Sequence, residues 1–124
     1  MNVGGQYTLP GDINLGLNYF ARQGFPFVRT ILTPSRANRA GTIQVPLESI
    51  GESRLDTLQL VDLRIEKLIR LPRGIRLAAG VDVFNLANAN TALVVRAQQN
   101  ATNANQVSSI LAPRIGRLGL RLLW

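Results

Sequence analysis

The sequence predicts an all-β fold, an antiparallel up-and-down segment of a transmembrane β-barrel whose roughly five strands form an open fragment of a larger barrel. Three observations carry this. Four stretches alternate apolar and polar residues with a period of two, the signature of strands with one greasy face. Short connections marked by Pro and Gly alternate along the chain with long ones. The 124 residues, 46% hydrophobic and 17% charged, are too apolar for a disordered chain, yet they offer no helix or second sheet to cover those greasy faces.

The strands follow in order. A stub before Pro10 is followed by the turn Leu9-Pro10-Gly11-Asp12. From Ile13 onward, Ile13, Leu15, Leu17, Tyr19 and Ala21 share one parity, with mostly polar or small residues between them. From Val61, the residues Val61, Leu63, Ile65 and Ile69 take one face and Asp62, Arg64, Glu66 and Arg70 the other, with Lys67 the exception on the apolar side. After the turn Leu71-Pro72-Arg73-Gly74, Ile75, Leu77, Ala79, Val81 and Val83 oppose Arg76, Ala78, Gly80 and Asp82. At the carboxyl end Leu118, Leu120, Leu122 and Trp124 oppose Arg117, Gly119, Arg121 and Leu123. The expected strands cover about 1–8, 13–24, 56–70, 75–86 and 111–124, with outer loops over 25–55 and 87–110. Loops of this length count against a compact soluble domain and suit a barrel with tight turns on one rim and long loops on the other. With the short turns on the periplasmic side, the last strand runs inward and leaves Trp124 at that interface, where aromatic residues belong.

Composition narrows the function. The 14 basic residues exceed the 7 acidic ones, giving a charge of +7, and neither His nor Cys is present. Disulfides, most metal sites, Cys- or His-based nucleophile pairs and the commonest general acid/base are thereby removed, so an enzyme is not expected. No catalytic, cofactor or metal residue is named: Asp12, Glu48, Glu52 and Asp56 lack metal-ligand spacing, and no Gly-rich phosphate loop occurs. The positive charge raises a competing expectation, a soluble basic β-module that binds nucleic acid. Aromatic residues are only 6% and Tyr7, Tyr19, Phe20 and Phe84 are scattered, so the stacking surface such a module needs is missing, and nucleic acid is not the expected partner. The N-terminus has neither the basic start nor the apolar core of a signal peptide.

Several segments resemble a known family. The run Arg117-Leu118-Gly119-Leu120-Arg121-Leu122-Leu123-Trp124 is similar to the assembly signal of bacterial outer-membrane barrels, with Arg117, Gly119, Leu122 and Trp124 at the matching places and Trp where that family most often ends in Phe. Residues 60–67, Val81-Asp82-Val83-Phe84-Asn85-Leu86-Ala87-Asn88, and 109–115 with the final strand resemble the last strands of TonB-dependent outer-membrane transporters. The likeness is to the Oar-like branch, which carries a carboxypeptidase-regulatory-like domain, and it covers most of residues 13 to 124. The strand-end motif of Asp82, Phe84, Asn85 and Asn88 is its most specific element. The resemblance implies uptake of large scarce solutes such as siderophores or glycans across the outer membrane. Its implied partners are outer-membrane lipid and lipopolysaccharide, the barrel assembly machinery, the plug and remaining strands of the same transporter, and TonB through that plug. Such barrels have about 22 strands around a plug. The chain therefore reads as a C-terminal fragment, with Met1 an internal residue or a misplaced start.

Three clusters invite structural tests. If the Pro72 turn pairs position 71 with 75, Arg64 faces Asp82 as a cross-strand ion pair inside the lumen, a structural role rather than one in transport. Arg22, Arg29, Arg36 and Arg39, in or near the first long loop, are candidates for lipopolysaccharide phosphates or plain solvated charges. Asn85, Asn88 and Asn90 read as strand-end caps, since Asn favours turns.

Overall fold

The computed structural model describes residues 1–35, 37 and 41–124. It is all-β and antiparallel, with eleven strands among the described residues: β1 Asn2–Leu9, β2 Ile13–Arg22, β3 Pro26–Phe27, β4 Thr30–Leu32, β5 Gln44–Pro46, β6 Ser53–Arg54, β7 Leu58–Arg70, β8 Arg76–Phe84, β9 Ala92–Val95, β10 Val107–Ile110 and β11 Ile115–Leu123. No helix among the described residues is long and apolar enough to cross a membrane.

The chain divides into two units. The first, 1–22, 58–90 and 112–124, is a five-stranded sheet in the order β1-β2-β7-β8-β11, with β1 and β11 as its edges. Two tight turns fix its hairpin registers. Leu9 pairs with Ile13 across Pro10, Gly11 and Asp12, and the latter two have positive φ, which Gly adopts freely and Asp tolerates. The second turn is a single 3-10 turn, Pro72–Gly74, where the Leu71 amide donates to the Ile75 carbonyl at 2.8 Å and Arg70 faces Arg76. The amide of Leu68 donates to the Asp12 carbonyl and the Arg70 guanidinium meets the Asp12 carboxylate at 3.0 Å, so the first turn is tied to β7.

Pleating sorts this sheet into two chemically distinct faces. Leu15, Leu17, Leu63, Ile65, Val81, Leu118 and Leu120 share one, whereas Arg64, Glu66, Asp82, Arg117 and Arg121 share the other. The apolar face is open: Leu118 is 82% and Leu120 76% exposed. Ala78 is the only buried hydrophobic residue among those described, and it lies on the charged face, opposite Arg121. Among the described residues the aliphatic side of this sheet is left uncovered, which makes the sheet two-faced.

The second unit, 23–57 and 91–111, spans the stretches expected as long loops and is ordered there into short strands. It carries the paired short strands β3–β6, β4–β5 and β9–β10. Residues Val107–Ile110, close to the expected start of the last strand, form β10 here. The two segments are hydrogen-bonded to each other through Thr30, whose amide donates to the Ala97 carbonyl and whose carbonyl accepts from Gln99. The Asn100 side-chain amide repeats this pattern on Leu32, accepting from its N–H at 3.1 Å and donating to its carbonyl at 2.7 Å, as a neighbouring strand would. Gly24 is buried because a Cβ there would lie 1.8 Å from the Leu55 carbonyl oxygen. Strands of two to four residues are too short to show a period, which is why this order is invisible in the sequence.

Candidate functional site

The charged face of the first unit holds a continuous ladder across β7, β8 and β11. Asp82, its side chain largely covered, accepts from the Arg117 guanidinium at 2.7 and 3.0 Å and lies 3.7 Å from Arg64. Arg64 donates to Glu66 at 2.8 Å, and Glu66 meets Arg121 at 3.5 Å. Arg64 and Asp82 do face each other in register, but each has a shorter partner elsewhere. Glu66 at i+2 on the same strand and Arg117 on the next strand both outrank the cross-strand pair expected from the turn. Small residues form the floor: Gly80 lies opposite both Glu66 and Gly119, leaving the long side chains free to reach sideways.

The strand-end motif performs a second task. Phe84 lies under the Arg117 guanidinium, 5.5 Å from ring centre to Cζ, a distance at which a cation is attracted to the ring face. Asn85 and Asn88 both have positive φ, and Asn85 is 3% exposed. The Asn85 side chain donates to the carbonyls of Ala89 and Ala112 at 2.9 and 2.7 Å and accepts from the Ala89 amide at 2.8 Å. Its own amide donates to Asp62 Oδ1 at 3.0 Å. Asn88 Oδ1 accepts from the Arg114 amide at 3.0 Å, and the Arg114 guanidinium donates to the Leu86 carbonyl. Asn85 and Asn88 sit at the end of β8 as the turn preference of Asn leads one to expect, and together with Asp82 and Phe84 they also hold the start of β11 and the segment before it, forming a latch. Asn90 lies beyond the end of β8, outside any strand.

Among the assembly-signal residues, Arg117 is in the ladder and Gly119 faces Gly80, where a Cβ would meet open space. Leu122 faces Leu77 on the apolar side. Trp124 follows the end of β11 and is 95% exposed.

In the second unit Arg29 is bound to Glu48. Its amide donates to Glu48 Oε1 at 2.7 Å and its guanidinium meets Oε2 at 3.1 Å, while the Ser53 hydroxyl donates to the same oxygen at 2.7 Å. These hydrogen bonds, the Arg29 side chain's first, lower the Glu48 carboxyl to about 2. The same bond and charge raise the Arg29 pKa. Arg29 is thus held by Glu48 while about half of its side chain stays exposed to solvent. Arg22 closes β2, and Arg36 and Arg39 lie outside the described residues.

Among the described residues no group of three or more His, Cys, Asp and Glu is placed to hold a metal ion. Chemically, the ladder offers alternating charges, and the opposite face offers mostly aliphatic contact, with Tyr19, Gln59 and Lys67 among its polar groups. Comparison of the chain with protein-family models, with curated proteins and with solved structures gave no match to any of them.

Proposed function

We propose that the chain forms part of the wall of an outer-membrane TonB-dependent transporter, its charged face lining the lumen and its aliphatic face meeting lipid. The observation that carries this reading is the two-faced sheet itself: an ion-pair ladder on one side and exposed leucines on the other. In water the exposed aliphatic face would be a large aggregation-prone patch, whereas hydrocarbon accepts it. The sheet edges β1 and β11 would pair with further strands of the same barrel, because unpaired backbone groups cost several kcal/mol each in lipid. Strands of eight to thirteen residues suit a tilted crossing of a band about 25 Å tall. Under this reading the second unit belongs to the outer loops, lipopolysaccharide surrounds that rim, and substrate choice rests with loops and plug. TonB and the assembly machinery are partners through the family resemblance. Arg29, Arg64, Arg70, Arg117 and Arg121 are already paired with carboxylates of this chain, which leaves less for nucleic acid than the net charge suggests.

Expression of the full-length gene followed by membrane fractionation tests the reading. A heat-modifiable species in the outer-membrane fraction is expected. Recovery in the soluble fraction with no heat-modifiable band refutes it.

A further inference from the structure

Lys67 is the one charged side chain on the apolar face of the five-stranded sheet. It occupies a row with Ile13 on β2, Ala79 on β8 and, beyond that, Leu120 on β11. It has no hydrogen-bond or ion-pair partner among the described residues, and it is exposed. The nearest acids along the chain do not serve it. Glu66 points to the opposite face and is held by Arg64 and Arg121, and Asp12 is held by Arg70. Any counterion for it would come from outside the sheet.

The position of Lys67 along the strand says what that counterion is. Going up the same face of β7, the next polar side chain is Gln59, whose Oε1 accepts from the Tyr19 hydroxyl at 3.5 Å. Residues 59 and 67 are separated by about 26 Å along the strand at about 3.3 Å per residue, hence by about 20 Å in height at a tilt near 40°. The two polar positions therefore bracket most of a hydrocarbon band about 25 Å tall, and a flexible ammonium stem covers the remainder by reaching outward. One limit carries a neutral pair and the other a lone cation, close to the short turns.

We propose that this face seats a glycerophospholipid of the leaflet on the short-turn side, its phosphate on the Lys67 ammonium and its acyl chains along Leu120, Leu118, Ile65 and Val81. The inference rests on the barrel reading and adds the lipid chemistry and the leaflet. Ala79 beside Lys67 leaves room for a headgroup, and the aliphatic side chains above it continue the contact without another charge.

The test uses the full-length protein reconstituted in bilayers containing phosphatidylglycerol. Native mass spectrometry of the released protein counts retained phosphatidylglycerol for the wild type, Lys67→Arg and Lys67→Met. Retention is expected to fall about five-fold in Lys67→Met, the effect of one surface cation, and to persist in Lys67→Arg. Independently, a bimane label at Leu120→Cys in a cysteine-free background, with Lys67 intact, is quenched most by lipids brominated near the headgroup. Equal retention in Lys67→Met, or strongest quenching by bromines at the chain ends, overturns this inference alone. Failure of the wild type to enter bilayers overturns the barrel reading and this inference with it.

Discussion

Replacement of Asn85 separates a latch from a mere turn residue. Its side chain makes three hydrogen bonds, two donated to the Ala89 and Ala112 carbonyls and one accepted from the Ala89 amide, at a site 3% exposed. At about 1 kcal/mol net for each bond, Asn85→Gly costs about 3 kcal/mol even though Gly adopts the positive φ without strain. Asn85→Ala costs at least as much, because a Cβ in the left-handed region adds about 1 kcal/mol. Asn85→Asp is the worst of the three, since it keeps the acceptor but turns a buried carboxylate oxygen toward two carbonyls. Hydrogen exchange of the full-length protein reads the loss directly. Protection of the Ala89 amide and of the first residues of β11 should drop on the order of a hundredfold in Asn85→Gly, as about 3 kcal/mol requires. If Asn85→Gly exchanges like the wild type, only the backbone conformation matters at this site and the latch is wrong.

Three further outcomes follow from the geometry. In double-mutant cycles, Arg117 and Asp82 should couple by about 0.5–1 kcal/mol and more strongly than Arg64 and Asp82, in keeping with 2.7 against 3.7 Å; the reverse order would refute the ladder as described. The Glu48 carboxyl is held below its ordinary value, so the support it gives the second unit is fully present above about pH 4.5 and is lost as the pH falls through about 2; a carboxyl titration by NMR with its midpoint near 4.5 would remove this support. Trp124 has little packing to lose, so on the proposed barrel reading its deletion should change the stability of assembled barrel by less than about 0.5 kcal/mol while lowering the yield of protease-resistant barrel in outer membranes; equal yields would refute the proposed assembly signal.

The legible parts of this fold are those where a period meets a short turn. Leu71 and Ile75 close a turn of three residues, so every pair on β7 and β8 is fixed by counting outward, and Arg64 opposite Asp82 could be read from the sequence. The β8–β11 register has no such anchor, because the chain wanders through β9 and β10 before returning. Arg117, the closest partner of Asp82, was hidden for that reason, and so were Glu66 and Arg121 as members of one ladder. The turn preference of Asn pointed correctly to the end of β8, yet nothing in the local sequence could show that Asn85 reaches Ala112, 27 residues further on. Lys67 stood out as a breach of parity, but its meaning depends on the row it shares with Ala79 and Leu120.

The latch also decides what evolution is free to change. Asn85 holds Ala112 and Asn88 holds Arg114, so the chain that leaves β8 is clasped to the chain that enters β11 at the base of the excursion between them. Residues 91–111 hang from a clasp that they do not form. Lengthening a flexible part of this excursion, outside β9, β10 and the residues bonded to Thr30 and Leu32, costs only about 0.6 kcal/mol for each doubling of its size. Insertions, deletions and wholesale exchanges in this stretch can accumulate without slipping the Ile115–Phe84 register by a residue, and hence without turning Leu118 and Leu120 inward. The stretch 91–111 can thus change while the five-stranded sheet keeps its register.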